Sequence, residues 1–320
     1  MGRFHGFAYA PRMLRVAVRL ALSLCGTLSF MACGGTQTAI ATADPGIASQ
    51  GDTGVRRGPT SIPVDGDPNG LWWDETAAAL YIADAKNNRI LKWTDAAGFS
   101  TVAELPPAPP EGGGLGQVVK LPDGKLVVPR FGHGKAGDVV YANPDGTSGT
   151  VPNLDPLRRR IGLAATSDGA LYEAFFFSKD GVKSGGIARI DLAGTEAEVV
   201  GGLKKPVGVL ALGGELVVSD QVAGTVLRMP IASPDKQFVV AKVPEPDLLC
   251  AGPEGSFFTG GKAGSVRQVL GSGEVKERSG GFQDVRGVAY DGKNKRLFVA
   301  DHDRNEADGI THLLRILLVD

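Results

Sequence analysis

The chain has 320 residues, a formal net charge of −1 and 42% apolar residues, with 46 glycines and 20 prolines. The apolar share supports a sizeable core, and glycine scattered without a three-residue period excludes collagen and points to many tight turns. No stripe of Lys and Arg runs through it, which argues against nucleic acid as a partner, since such binding needs clustered cations to displace counterions. The densest basic cluster, Arg158, Arg159 and Arg160, reads as a solvated turn.

In chain order, the first segment is an export signal. Residues 1–19 carry Arg3, Arg12, Arg15 and Arg19 without an acidic residue, and LALSLCGTLSFMA follows at 20–32. That apolar run is shorter than the roughly 20 residues a membrane span needs. A basic start, a short apolar core and a small residue before a cut form a secretory signal. Phe30-Met31-Ala32-Cys33-Gly34 resembles a bacterial lipobox at Ala32 and Cys33 and departs from it at Phe30 and Met31. Residues 1–32 are therefore expected to be a signal peptide, with Cys33 lipidated. Residues 33–58, rich in Gly, Thr, Ala and Ser, are expected to be a flexible tether to the inner or outer membrane, facing the periplasm or the cell surface. Removal of the signal leaves 30 basic against 35 acidic residues. Cys250 is then a lone thiol in an apolar strand, which reads as a small core residue, so no disulfide framework exists.

From Pro68 onward the sequence repeats. PNGLWWDETAAALYIADAKNNRILKWTDAAGFSTVAEL holds four short apolar runs separated by turn residues, the pattern of one four-stranded antiparallel sheet. The order recurs from anchors at Gly70, Gly116, Gly162, Gly208, Leu248 and Gly287, spaced 46, 46, 46, 40 and 39 residues apart. Such periods belong to propeller blades. The prediction is an all-β, six-bladed β-propeller over 59–320. The last unit supplies three strands only, so the segment Thr60–Asp65 is expected to pair beside the C-terminal strand and complete the final blade.

The motifs PNGLWW at 68–73, LYIADAKNNRI at 80–90, PDGKLVV at 122–128, PVGV at 206–209 and LFVADH at 297–302 resemble the NHL-repeat and gluconolactonase-like (senescence marker protein) group of six-bladed propellers. The resemblance covers residues 60–320. It implies one divalent cation, Ca²⁺ or Zn²⁺, held in the channel by a Glu, an Asn and an Asp. Asn69 matches the family's Asn-Gly motif, and Asp247 in PDLLC is similar to the Asp of its P-D-G-M-C stretch. The family's Glu has no counterpart; Glu173 and Glu111 are the nearest candidates, at other points of the repeat.

Propeller geometry brings the starts of the first strands and the ends of the second strands onto one face. The ligand-site candidates are Asn69, Asp84, Arg130, His133, Asp220, Asp247, Arg286, Asp301 and His302. Blades one, five and six make one side of this mouth polar, while Leu115, Ile161, Phe175 and Val207 make the other apolar, the usual build of a small-molecule site. A competing reading applies to Asp84, Asp220 and Asp301, which share a repeat position: a strand-end Asp accepts backbone N–H groups of the following turn. His133, flanked by glycines, reads equally as an exposed loop residue, and Asn69 as a turn former. Trp72, Trp73 and Trp93 read as packing between blades. No G-x-S-x-G, H-E-x-x-H, P-loop or C-x-x-C motif is present.

Two functions remain open. One is a monomeric, membrane-anchored module binding a small ligand or a protein partner at the mouth. The other is a metal-dependent lactone hydrolase, which the missing Glu disfavours.

Overall fold

The computed structural model describes residues 59–303 and 312–319; the signal segment, Cys33 and the tether lie outside the described residues. Apart from two single 3-10 turns at Gly132–Gly134 and Pro253–Gly255, the described regular structure is all strand.

Four antiparallel four-stranded sheets follow one another along the chain. The first is β2 (Pro68–Asp74), β3 (Ala79–Asp84), β4 (Arg89–Thr94) and β5 (Gly98–Glu104). The second is β6 (Val119–Lys120), β7 (Leu126–Arg130), β8 (Asp138–Ala142) and β9 (Ser148–Thr150). The third is β10 (Arg159–Ala165), β11 (Leu171–Lys179), β12 (Val182–Ile190) and β13 (Glu196–Leu203). The fourth is β14 (Pro206–Leu212), β15 (Glu215–Asp220), β16 (Thr225–Pro230) and β17 (Phe238–Lys242).

The remaining strands form an eight-stranded sheet. One half is β18 (Pro246–Ala251), β19 (Phe257–Gly261), β20 (Ser265–Val269) and β21 (Val275–Gly280). The other is β22 (Val285–Asp291), β23 (Arg296–Asp301), β24 (Leu313–Leu318) and β1 (Thr60–Pro63). The halves join at a single residue pair, Gly261 with Val285. As expected from the short last unit, β1 pairs antiparallel with β24, Thr60 opposite Ile316 and Pro63 opposite Leu313.

The arrangement is propeller-like, and the anchor glycines explain it. A Cβ on Gly70 would lie 2.2 Å from the Gly116 carbonyl oxygen, one on Gly116 2.0 Å from that of Ile161, and one on Gly162 2.7 Å from that of Val207. Gly208 meets the Asp247 carbonyl in the same way, at 2.7 Å, and Gly287 meets that of Asn69, at 2.0 Å. Each first strand thus packs backbone against backbone on the next, and the circuit returns to β2, leaving room for no side chain. Leu248 breaks the glycine series in β18; there Gly260, at the end of β19, takes up the close approach, against Val285. Backbone and side-chain bonds cross the same seams: Gln117 N donates to Ile161 O at 2.8 Å, and Ser219 Oγ donates to Asp247 O at 2.7 Å.

Apolar side chains fill the spaces between neighbouring sheets. Trp73 and Trp93 of the first sheet sandwich Phe298 of β23, with ring centroids 5.1 and 5.5 Å apart. Equivalent clusters join the first sheet to the second around Ile90 and Val128, and the second to the third around Val127 and Phe175. Others join the third to the fourth around Ile187 and Val218, and the fourth to β18–β20 around Val226 and Phe257. A last cluster around Phe258 and Val299 lies between the two halves of the eight-stranded sheet. Burying a side chain such as Phe298 contributes about 2–3 kcal/mol.

Candidate functional site

The mouth is made by a repeated irregularity. First-strand starts pair with second-strand ends: Pro68 with Asp84, Arg160 with Phe175, Pro206 with Asp220, Pro246 with Gly261 and Val285 with Asp301. Leu115 bridges Arg130 at the same level in the second sheet. In five first strands the register then slips, between Pro68 and Leu71, Arg160 and Gly162, Pro206 and Gly208, Pro246 and Leu249, and Val285 and Val288. A bulge leaves the extra residue out of the ladder and re-aims its side chain. Asn69, Ile161, Val207, Asp247 and Arg286 occupy these bulges.

The sequence candidates divide by what they touch. Asp84 is fully buried and accepts from Asp67 N at 2.9 Å, Asn87 Nδ2 at 2.9 Å and Arg89 Nε at 2.8 Å. Asp220 accepts from the backbone N–H groups of Lys204, Lys205 and Ala223 at 2.7, 2.9 and 3.1 Å. Asp301 accepts from Gln283 N at 2.8 Å and pairs with Arg315 at 3.0 Å. All three hold the loop that leads into the first strand of their own sheet. Arg130 fills the equivalent place in the second sheet with the opposite polarity. It is buried, donates to Asn88 Oδ1 at 3.0 Å and to Pro106 O, and pairs with Asp138 at 3.2 Å. His133 is exposed, with φ 49°, and its ring meets Phe131 edge-on. Asn69 Nδ2 donates to Leu115 O at 2.6 Å, across the seam to the second sheet.

Asp247, Arg286 and His302 lie among groups that the sequence reading had not singled out. Asp247 is buried; its Oδ1 accepts from Leu248 N at 3.0 Å and its Oδ2 from Gln221 Nε2 at 3.2 Å. Burial pushes its carboxyl up to about 6; Arg286 and Lys205 pull the other way, and Asp284 adds to the rise. Lys205 is half-buried, 5.5 Å over the Phe176 ring and in contact with Gln221 Oε1. Burial brings its ammonium down to about 8, helped by Lys262, Lys183 and Arg286 and opposed by Asp247. Arg286 Nε pairs with Asp284 at 3.2 Å. Two buried carboxylates, Asp247 and Asp284, therefore stand with Arg286 and Lys205 at this end of the channel.

Beside them, His302 Nδ1 lies 2.8 Å from Asp67 Oδ1, and the His302 and His312 rings stack with centroids 4.5 Å apart. Burial works against the Asp67 carboxylate, but the His302 hydrogen bond and the charges of His302, His312 and Arg286 hold its pKa below the usual value. The signal for this group was present in the sequence: Gly66-Asp67-Pro68 precedes the first strand, and two histidines flank the entry to β24.

The family's cation fits these residues poorly. Among the described residues the two sequence matches offer few oxygens: both Asp247 oxygens accept protein hydrogen bonds, and Asn69, whose Nδ2 donates to Leu115 O, has Oδ1 to give. Glu173 is buried beside Arg160 and Glu196 in the third sheet, where burial pushes it up to about 8, and Glu111 is exposed and paired with Lys135 at 3.0 Å. Ca²⁺ needs six to eight oxygens, and the set present falls well short.

A separate cavity of about 660 Å³ occupies the channel around the far ends of the first strands, lined by Trp72, Lys120, Ala164, Leu210, Cys250 and Tyr290. Its lysine is held charged by Asp74 at 2.7 Å, and burial pushes the Cys250 thiol up, away from the reactive thiolate. It offers volume, with Lys120 and Cys250 both shifted away from proton transfer near neutrality.

No protein-family model matches the chain, and no curated protein sequence matches it. Solved structures do match its fold. Regucalcin from Agrobacterium tumefaciens, described as a calcium-binding protein, is 16% identical, with a TM-score of 0.62, over 80% of this chain and 90% of that one. A gluconolactonase from Xanthomonas campestris is 16% identical, with a TM-score of 0.61, over 83% and 99%. Virginiamycin B lyase from Staphylococcus aureus is 13% identical, with a TM-score of 0.58, over 82% and 99%. At these identities the likeness is one of fold alone, that of a β-propeller.

Proposed function

We propose that this chain is a small-molecule hydrolase on a six-bladed propeller, exported and held to a membrane through lipidated Cys33, and acting on a lactone or ester at the bulged mouth. Two observations support counting six blades: the eight-stranded sheet is joined at one residue pair, and an apolar cluster lies between its halves as between every other pair of neighbours. The hydrolase reading is carried by Asp247, a buried carboxylate raised to about 6 beside Lys205 and Arg286. Perturbed groups of opposite type gathered at one concave site mark acid–base chemistry. The gluconolactonase among the structural neighbours supports the same substrate class.

In this reading Asp247 takes a proton from water as its oxygen bonds to the substrate carbonyl carbon. Arg286 and Lys205 hold the resulting oxyanion. The ring C–O bond then breaks, and the departing alkoxide receives the proton from Asp247. The cations also favour an anionic substrate, such as the lactone of an acidic sugar.

The test is turnover of a panel of aldonolactones and esters by the full chain and by Asp247→Asn and Arg286→Gln. At least a 100-fold loss of kcat/KM in Asp247→Asn, with the fold intact, is expected. Turnover unchanged in that variant would overturn the assignment. Binding of a lactone without turnover would instead favour the ligand-binding module.

A further inference from the structure

Among the described residues, one group of three metal-ligating side chains brings its ligand atoms within 4.8 Å of one another: Asp67, His302 and His312. All three are half-buried, and they come from three separate chain segments. Asp67 precedes β2, His302 follows β23, and His312 precedes β24. Their backbones are pinned where the chain closes: Asp67 N donates to Asp84 Oδ1 at 2.9 Å, His302 N to Asp284 O at 2.9 Å, and His312 O accepts from Val64 N at 2.9 Å. Asp303 N donates to His312 Nδ1 at 3.0 Å, which fixes that ring and leaves Nε2 available.

We propose that Asp67, His302 and His312 form a binding site for a divalent transition ion of the Zn²⁺ class, at the seam between the first sheet and the last. Two imidazoles and one carboxylate are the donor set of three-ligand zinc sites that keep a fourth position open. Nitrogen donors select such an ion over Ca²⁺ or Mg²⁺, which prefer oxygen. Ligands about 2.0–2.2 Å from an ion sit a little over 3 Å apart, so small side-chain rotations close the group around it. Asp67 and His302 already touch at 2.8 Å. The site uses neither Asn69 nor Asp247, and it stands whether or not Asp247 acts as a base. Arg286 carries a charge that acts on both Asp67 and Asp247.

The test is titration of the metal-stripped full chain with Zn²⁺ by calorimetry, and with Co²⁺ by its visible absorption. One equivalent of Zn²⁺, the intense Co²⁺ bands of a low-coordinate site, and no comparable uptake of Ca²⁺ are expected. His312→Ala, His302→Gln and Asp67→Asn are each expected to weaken Zn²⁺ binding at least 100-fold, while His133→Ala and Asp247→Asn leave it unchanged. Thermal melting of each variant separates ligand loss from unfolding, and His302→Gln, which keeps the ring's approximate volume, serves if His312→Ala melts early. Absence of a stoichiometric Zn²⁺ site in the wild-type chain, or undiminished binding in folded His302→Gln and Asp67→Asn, would overturn the proposal. Loss of the metal site with lactone turnover retained would leave the Asp247 reading intact.

Discussion

At the scale of single residues, Asp247 and Asp220 show how one residue type does two jobs on one rim. Asp220 accepts three backbone N–H groups and so ties the loop before β14 and the turn after β15 to its own strand. Asp247 accepts one backbone and one side-chain bond while losing water, and its pKa rises to about 6. A carboxyl raised in the folded state from its ordinary 3.8 contributes nothing adverse below about pH 4 and costs stability as pH climbs from there to about 6. Above that range the cost is constant, up to about 3 kcal/mol. Asp247→Asn is therefore expected to melt a few degrees higher than wild type at pH 7 and at the same temperature at pH 4, as calorimetry at the two pH values would show. Activity should follow the same groups: kcat/KM rises as Asp247 ionises near pH 6 and falls as Lys205 loses its proton near pH 8. Asp220→Ala is expected to cost about 2–4 kcal/mol in denaturant melts, because it strands buried backbone donors.

These differences were only partly legible in the sequence. The shared repeat position of Asp84, Asp220 and Asp301 is visible in the chain, and so is the alternative that they cap turns. The following turn supplies some donors, Ala223 to Asp220 and Asn87 to Asp84, but the others are not visible, because they come from the loop leading into the first strand, 15 to 18 residues upstream of each Asp. His302 could be found as a strand-end residue. The pairing of β1 with β24 that brings Asp67 and His312 near it was legible too, but the side-chain meeting of the three was not, because it depends on loop conformation at the closing seam.

Among elements, the first strands set the geometry. The glycine anchors were readable because a steric demand repeats: each Gly faces a neighbouring carbonyl, so each repeat must spend a Gly at the same point. The bulges that follow were not readable, since a one-residue slip leaves no mark in an apolar run, yet they aim Asn69, Asp247 and Arg286. The eight-stranded sheet was likewise hidden: one pairing, Gly261 with Val285, depends on two glycines at the end of β19. Gly116→Val is expected to cost at least about 3 kcal/mol, because backbone at 2.0 Å cannot give way as a side chain can. Gly146→Val, at a turn with open space, is the control; its φ of 86° predicts a smaller loss, about 1–2 kcal/mol. Urea melts of the two variants would check the order.

For the whole molecule, stability resides in closure. No sheet buries its faces alone; each contributes half of two apolar clusters, and the pair β1–β24 is the one place where sequence-distant ends complete a sheet. Removal of residues 313–320 deletes β24, exposes the edge of β23 and uncovers Phe298. The truncated chain is expected to lose cooperative melting altogether rather than melt a few degrees early. Differential scanning calorimetry distinguishes the two outcomes.

The pairing of β1 with β24 also means that the order of synthesis leaves little trace in the finished molecule. Thr60 sits opposite Ile316, so a short hairpin turn joining residue 319 to residue 59 would make covalent what is now held by hydrogen bonds. New ends could then be opened at Gly213–Gly214, a tight turn with both residues at positive φ and free space around them. Such a circular permutant keeps every strand neighbour and moves the closing seam into the fourth sheet. The three residues Asp67, His302 and His312 would then sit within one continuous run of chain instead of at its two extremes.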